Sequence, residues 1–207
     1  MIIDMHTHTF SPKVAMRAIP PMERAARMSA YTDSLPETLT ATMREAGIDY
    51  SVVLPVATNI TQPRKLNDIA VRTNEHTLET GLISFGAMHP DDPDWRRELS
   101  FLSEHNIKGI KLHPMYQKCN LDDVRTMRII EEACALGMMV TVHMGEDVGV
   151  PGPARSTPEN ALRVQRMTGA DKLILAHMGS WKLWDRVLDV LAGAPVYLDT
   201  AFSFLDE

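Results

Sequence analysis

Asp4-Met5-His6-Thr7-His8 closes a short apolar opening, Met1-Ile2-Ile3, and its reading decides how the rest of the chain is arranged. Side chains alternate across a β-strand, so His6 and His8 project from one face and their imidazoles can converge on a single ion. A strand that ends in His-x-His carries its polar tip at the carboxyl end, where parallel α/β folds build their sites. Alone the motif is weak, since two polar residues can simply begin a loop. The histidines further along decide the matter.

Outward from this strand the chain alternates strand and helix with connections of βαβ length. Strands are expected at 2–6, 50–55, within 82–90, and at 107–114, 138–145, 172–179 and 196–202. A Ser34…Glu37 capping box opens a helix that Gly47 stops, and another helix covers 63–79. Asp92-Pro93 opens one that runs to about His105, Asn120 caps one that Gly137 ends, Thr157-Pro158 opens one, and 181–192 form the last. Residues 9–33, broken by Pro12, Pro20 and Pro21 with a short helix at 22–28, read as a cap-like insertion. The Gly- and Pro-rich stretch 146–157 reads as a loop that shapes a site.

Seven strands and six helices of even repeat predict a (β/α)8 TIM-like barrel. An open doubly wound sheet would show a glycine-rich phosphate turn after its first strand, and none is present. One domain is expected over 1–207. Its eighth strand would fall beyond Glu207, so the barrel is expected to be truncated before that strand.

The chain is 44% apolar and 23% charged with a net charge of −6, an ordinary globular composition whose acidic balance speaks against nucleic-acid and membrane-surface partners. Cys119 and Cys134 lack CxxC spacing and are expected as reduced thiols, which points to a cytoplasmic protein. No run reaches the roughly 18 apolar residues of a membrane span.

Five of the eight histidines, His6, His8, His113, His143 and His177, fall at predicted carboxyl ends of strands. In a barrel these positions ring one mouth. Neutral imidazoles on a rigid scaffold suit zinc, manganese or iron. Lys111 shares a strand face with His113 and can pair with an acidic neighbour or hold a substrate carboxylate. Tyr31, Tyr116 and Arg155 lie in loops over the same mouth and, with His113, are the candidate substrate contacts.

DMHTH, GIKLHP, VHMG, LAHMG and VYLDTAF, in that order at strand ends, resemble the amidohydrolase superfamily. The similarity is to its amidohydrolase-2, or aminocarboxymuconate-semialdehyde-decarboxylase-like, group. It implies a distorted TIM barrel with one divalent metal, zinc foremost, on His6, His8 and His143, and His177 beside it as a ligand or as the group orienting water. A second metal would be bridged by a carboxylated Lys111. Asp199 would orient His177 or approach the metal itself. The group's strand-eight aspartate has no counterpart here. The implied activity is hydrolysis of a small ester, lactone or amide by metal-activated water, with decarboxylation of a small carboxylic acid as the alternative. A phosphoesterase of the polymerase-and-histidinol-phosphatase type, and a non-catalytic fragment, are the further alternatives. The resemblance also implies a homodimer, for which the residues carry no interface signal of their own.

Overall fold

The computed structural model describes residues 1–204. Its strands are all parallel and follow one another in space as they do in sequence. β1 (Ile3–Thr7), β2 (Tyr50–Val53) and β3 (Leu82–Ser84) form one sheet. β4 (Gly86–Ala87), β5 (Gly109–Leu112), β6 (Met139–Val142), β7 (Leu173–Leu175) and β8 (Tyr197–Leu198) form the other.

β3 and β4 are halves of one predicted strand, broken at Phe85. The Phe85 N–H still donates to Val53 O (3.0 Å), and the next residues, Gly86 and Ala87, pair with Ile110 and Lys111. Side chains of α3 (Pro63–Glu75) stand in for ladder partners at the break. Asn74 accepts from Ser84 N–H (2.6 Å) and donates to Ser84 O (3.0 Å), while Asn67 accepts from Ala87 N–H (2.8 Å). The backbone is therefore satisfied where the strand leaves one neighbour for the next. Among the described residues the result is an arc of seven barrel strands, the (β/α) barrel architecture expected. β1 and β8 are its two ends, and a cavity of about 1000 Å³ opens between them, lined by Ile3, Met5, Met139, Ile174, Tyr197 and Phe202 among others.

Alternate residues of the strands face outward and make the main core. Ile110, Leu112, Val140, Val142, Leu173 and Leu175 are fully buried against α5 (Trp95–Glu104), α7 (Val124–Ala135), α8 (Pro158–Thr168) and α9 (Trp184–Leu191). Each such side chain contributes on the order of 1.5–3 kcal/mol by leaving water. The intervening residues, Lys111 beside Thr141 in register, face the other way, into the barrel. Among the described residues no helix is long and apolar enough to cross a membrane.

Four local expectations are corrected, and one short helix is added. Residues 9–33 hold a continuous 15-residue helix, α1 (Pro12–Ala26), that runs through Pro20 and Pro21. Proline's fixed φ is already helical, and what the pair forfeits is two amide donors. The Ser34…Glu37 capping box does not form. Ser34 adopts φ 58° and gives its carbonyl to Phe10 N–H, and Asp33 instead holds Leu35 N–H ahead of α2 (Pro36–Ala46). α7 is capped by Asp123 on Arg125 N–H, three residues later than Asn120. The 63–79 helix is two, α3 and α4 (Thr77–Thr80), and α6 (Pro114–Gln117) is an extra turn after β5. At Thr157 the expected start holds, with a capping box to Asn160.

Gly145, two residues after His143, has φ 85°, and a Cβ there would lie 2.3 Å from Trp181 O and 2.4 Å from Trp181 N. Both are backbone atoms and cannot turn aside, and only glycine takes that φ without strain. Gly145→Ala is expected to cost about 2–3 kcal/mol, in the range of other forced backbone conformations. A fall in the urea midpoint without a change in slope would register it; an unchanged midpoint would show that this loop yields freely.

Candidate metal centre

Every expected histidine arrives at one end of the barrel because each follows the carboxyl end of its strand. His6 lies in β1 and His8 just beyond it, His113 follows β5, His143 follows β6 and His177 follows β7, with Asp199 directly after β8. Lys111 points into the barrel from β5 and is 1% exposed. His177 and Met178 take left-handed backbone, φ 63° and 53°. That is unusual outside glycine and needs surrounding structure to hold it. Asp199 supplies the hold: its Oδ1 accepts from His177 N–H (2.9 Å), and its carbonyl accepts from Met178 N–H (2.7 Å).

Hydrogen-bond accounting fixes where the protons sit on β1. His6 Nδ1 lies 2.8 Å from Asp199 Oδ2, and His8 Nδ1 lies 2.8 Å from Leu54 O. A carboxylate and a carbonyl only accept, so both histidines carry their proton on Nδ1. That leaves a lone pair on each Nε2, and the two Nε2 atoms stand 3.2 Å apart. Opposed lone pairs at that distance call for a cation. Two ligands each 2.0–2.2 Å from a tetrahedral ion stand about 3.3–3.6 Å apart, so the pair is within a few tenths of an ångström of ligand spacing. Lys111 Nζ lies 3.3 Å from His6 Nε2 and is, among the described residues, the one ammonium beside the pair. The donor set fits a divalent ion.

The electrostatics agree, because a ligating imidazole must be neutral. His6 is lowered to about 4, by burial first and by the Lys111 charge second, against the opposing pull of Asp199. At His8, on the exposed rim, desolvation and then the charges of His6 and Lys111 act downward, and contact with solvent tempers the first. Burial also lowers His113, His143 and His177. It brings Lys111 down to about 8. For Asp199 burial pushes upward, but its bond to His6, that group's charge and the His177 amide prevail and keep it an anion.

Two groups of convergent donors result, His6 with His177 and Asp199, and His113 with His143 and Asp147, the ligand-type atoms of each lying within 4.8 Å of one another. His143 therefore stands in the second group and reaches the first through His177, whose Nε2 is 3.0 Å from His143 Nδ1. Asp199 faces His6 with one oxygen, and binds the His177 backbone rather than its ring with the other. Among the candidate substrate contacts, Tyr116 packs its ring edge-on against His113 at 4.5 Å. Arg155 is tied to Asn120 Oδ1 (3.3 Å), and Tyr31 is 95% exposed.

Two participants escaped the sequence reading. Asp147 lies four residues after His143, and its only signal was an acidic side chain in a Gly- and Pro-rich loop. The Leu54 carbonyl acts through backbone and carries no side-chain signal beyond its place before Pro55.

A sequence model of the amidohydrolase family matches residues 3–206. The chain belongs to the amidohydrolase family of enzymes. Among solved structures, this amidohydrolase resembles an uncharacterised TIM-barrel protein of Bordetella bronchiseptica, with 17% identity and a TM-score of 0.69 over 96% of this chain and 74% of that one. It also resembles 5-carboxyvanillate decarboxylase of Novosphingobium aromaticivorans, complexed with manganese and 4-hydroxy-3-methoxy-5-nitrobenzoic acid. There the identity is 18% and the TM-score 0.66, over 91% of this chain and 66% of that one. A third is a probable 2-pyrone-4,6-dicarboxylic acid hydrolase of Acinetobacter baumannii with citric acid bound, at 11% identity and a TM-score of 0.60 over 97% and 70%. At these identities the likeness carries the fold. No curated protein matches the chain.

Proposed function

We propose that this amidohydrolase holds a divalent ion between His6 and His8 and hydrolyses a small ester, lactone or amide that also bears a carboxylate. The observation that supports the reading most is the pair of Nε2 lone pairs 3.2 Å apart, each fixed by an acceptor on the far side of its ring. Zinc is the first choice for imidazole ligands, with manganese and iron as alternatives; the decarboxylase of similar fold was solved with manganese. Such an ion supplies Lewis acidity, polarising a carbonyl oxygen and bringing the pKa of water to about 7.

The residues supply the rest. Asp199 and Leu54 O hold His6 and His8 in the ligating tautomer, as carboxylate and carbonyl partners of metal-binding histidines do. Lys111, buried and with no carboxylate within ion-pair distance among the described residues, offers its ammonium to the substrate's carboxylate. His177, its ring centroid 5.2 Å from that of His6, borders the reacting carbonyl and keeps its own proton on Nδ1 for Ala201 O.

Elemental analysis of the purified protein is expected to find about one zinc, manganese or iron per chain at this site, lost in His8→Ala; metal retained in that variant would sink the reading. Lys111 also sets a pH dependence. Its ammonium is lost as pH rises through about 8. KM for an anionic substrate should therefore rise about tenfold per pH unit above that point, while a neutral analogue shows no such rise. Parallel profiles for the two substrates would remove Lys111 from binding.

Decarboxylation is the second reading, and a specific observation favours it. Both Asp199 oxygens are already bonded, which leaves the group a poor proton acceptor for water, whereas the buried Lys111 cation suits a carboxylate destined to leave as carbon dioxide. Proton release against carbon dioxide release, measured on one panel of lactones, esters and aromatic acids, separates the two.

A further inference from the structure

Among the described residues, the insertion between β1 and α2 is hydrogen-bonded to the barrel only at its base. Phe10 N–H donates to Ser34 O (2.8 Å), and Asp33 accepts from Leu35 N–H and from the Thr38 hydroxyl (2.9 Å each). Glu23 folds the return chain onto α1, taking Met28 N–H on its carbonyl (3.2 Å) and Ala30 N–H on Oε1 (2.7 Å). Ala15 is the one buried residue of the helix, and no side chain of α1 joins the apolar core. α1 can therefore settle on a surface without breaking a hydrogen bond of the barrel.

The helix divides its faces by charge. Lys13, Arg17, Arg24 and, at its end, Arg27 follow at spacings of four, seven and three residues, which puts them on one side of a 3.6-residue helix. All four are exposed, and among the described residues none has a carboxylate within ion-pair distance. Ala15, Ala18, Ile19, Met22 and Ala26 make the opposite side. The insertion's two acids, Glu23 and Asp33, are committed to the bonds just given. Apolar side chains stand in water beside the cations: Met16 is 73% exposed, Val14 44%, Met22 43% and Tyr31 95%. Scattered singly such residues need no explanation, but here four fall on one segment that the core does not use.

Cations interleaved with exposed apolar side chains fit a partner that is anionic and apolar together. A second copy docked about a two-fold axis through this helix would set the stripe against itself, cation on cation. Nucleic acid would match the charge and leave Met16, Val14 and Met22 without a counterpart. An anionic bilayer surface meets both demands: lipid phosphates face the lysine and arginines, methionine and valine enter the acyl boundary, and tyrosine lays its ring there with its hydroxyl in water. We propose that α1 and Tyr31 form a membrane-surface element that docks this enzyme reversibly on bilayers rich in anionic phospholipid. The chain's net charge of −6, which taken whole speaks against such a partner, is a sum that conceals the stripe. The helix lies on the bilayer rather than crossing it, since its 15 residues span only about 22 Å and carry cations along their length.

The test is co-sedimentation of the full chain with vesicles of phosphatidylcholine alone and of equal parts phosphatidylcholine and phosphatidylglycerol. Neither metal nor substrate enters the measurement. Four cations near an anionic surface should favour the mixed vesicles by on the order of a hundredfold or more, and added salt should erode the preference. Arg17→Glu with Arg24→Glu should lose about a hundredfold in partitioning, and Lys13→Glu with Arg27→Glu should act likewise from the two ends of the stripe. Tyr31→Ser should lose several-fold and leave the salt dependence unchanged. Far-UV circular dichroism checks that each variant keeps its fold, as exposed and unpaired side chains predict. A chain that stays in the supernatant with mixed vesicles overturns the proposal. So does equal sedimentation with neutral vesicles, which would assign binding to the apolar edges of β1 and β8, and so does full binding retained by both double variants. Duplex DNA bound through the stripe more tightly than the mixed vesicles would put nucleic acid in the lipid's place and overturn it as well.

Discussion

Lys111→Met is expected to give a more stable protein that no longer turns over an anionic substrate. The lysine is 1% exposed, and its fall from 10.5 to about 8 has burial as its first cause. A shift of that size corresponds to a penalty on the order of 3 kcal/mol for holding the ammonium in the folded chain. The sign follows from the depressed value. Below pH 8 the lysine is protonated in folded and unfolded chains alike, and the penalty is present in full. Between about 8 and 10.5 only the unfolded chain keeps the proton, so stability rises with pH and the penalty fades. Methionine has a similar length and no charge, so the variant should gain roughly 2–3 kcal/mol at pH 7, discounted for imperfect packing. Urea titrations of metal-stripped protein at pH 7 and pH 10 check it: the gap between the two proteins should narrow at the higher pH. A variant less stable at pH 7 would show that Lys111 has a partner worth more than its burial costs.

Asp199→Asn is expected to abolish tight metal binding while leaving the fold intact. Asp199 Oδ1 accepts two backbone hydrogens, from His177 N–H at 2.9 Å and Ala201 N–H at 3.1 Å. An asparagine must keep its carbonyl oxygen there, since its amide would face two other donors. Its NH2 then falls where Oδ2 was, against His6 Nδ1. A donor at that position drives the His6 proton onto Nε2, the nitrogen meant for the ion. Loss of such supporting partners weakens metal sites by roughly 10–100-fold, and a reversed tautomer belongs at the far end of that range. Zinc competition titrations give the affinity, and nitrogen NMR of the His6 ring gives the tautomer. Unchanged affinity with the proton on Nε2 would end the argument. Asp199→Ala differs usefully, because it strands both backbone donors and should cost about 1–3 kcal/mol of stability besides.

What the sequence disclosed was periodic. His6 and His8 were readable because a strand alternates, and His113, His143 and His177 because each follows an apolar run of strand length. The order of those runs carried the barrel. The break at Phe85 was not readable, since the amides of Ser84 and Ala87 are held by Asn74 and Asn67 from the preceding helix, contacts that no local pattern announces. Pro20 and Pro21 were over-read as breakers. Asp147 was missed because loop acids are common, and what distinguishes this one is two histidines that meet it only in three dimensions. The division of the histidines into two groups likewise depends on which nitrogen of each ring meets an acceptor, a matter of orientation rather than of spacing.

The bond between His6 and Asp199 has one more consequence. Among the described residues it is the hydrogen bond that runs from β1 to the end of β8, across the mouth of the cavity between the two ends of the arc. The latch that draws the first strand to the last is thus the same contact that readies His6 for an ion. Loading the site and closing the seam become one equilibrium, and each must strengthen the other in equal measure. Amide hydrogens along β1 and β8 should exchange more slowly once metal is added, far from any ligand, while those of β5 and β6, held on both sides, should hardly change.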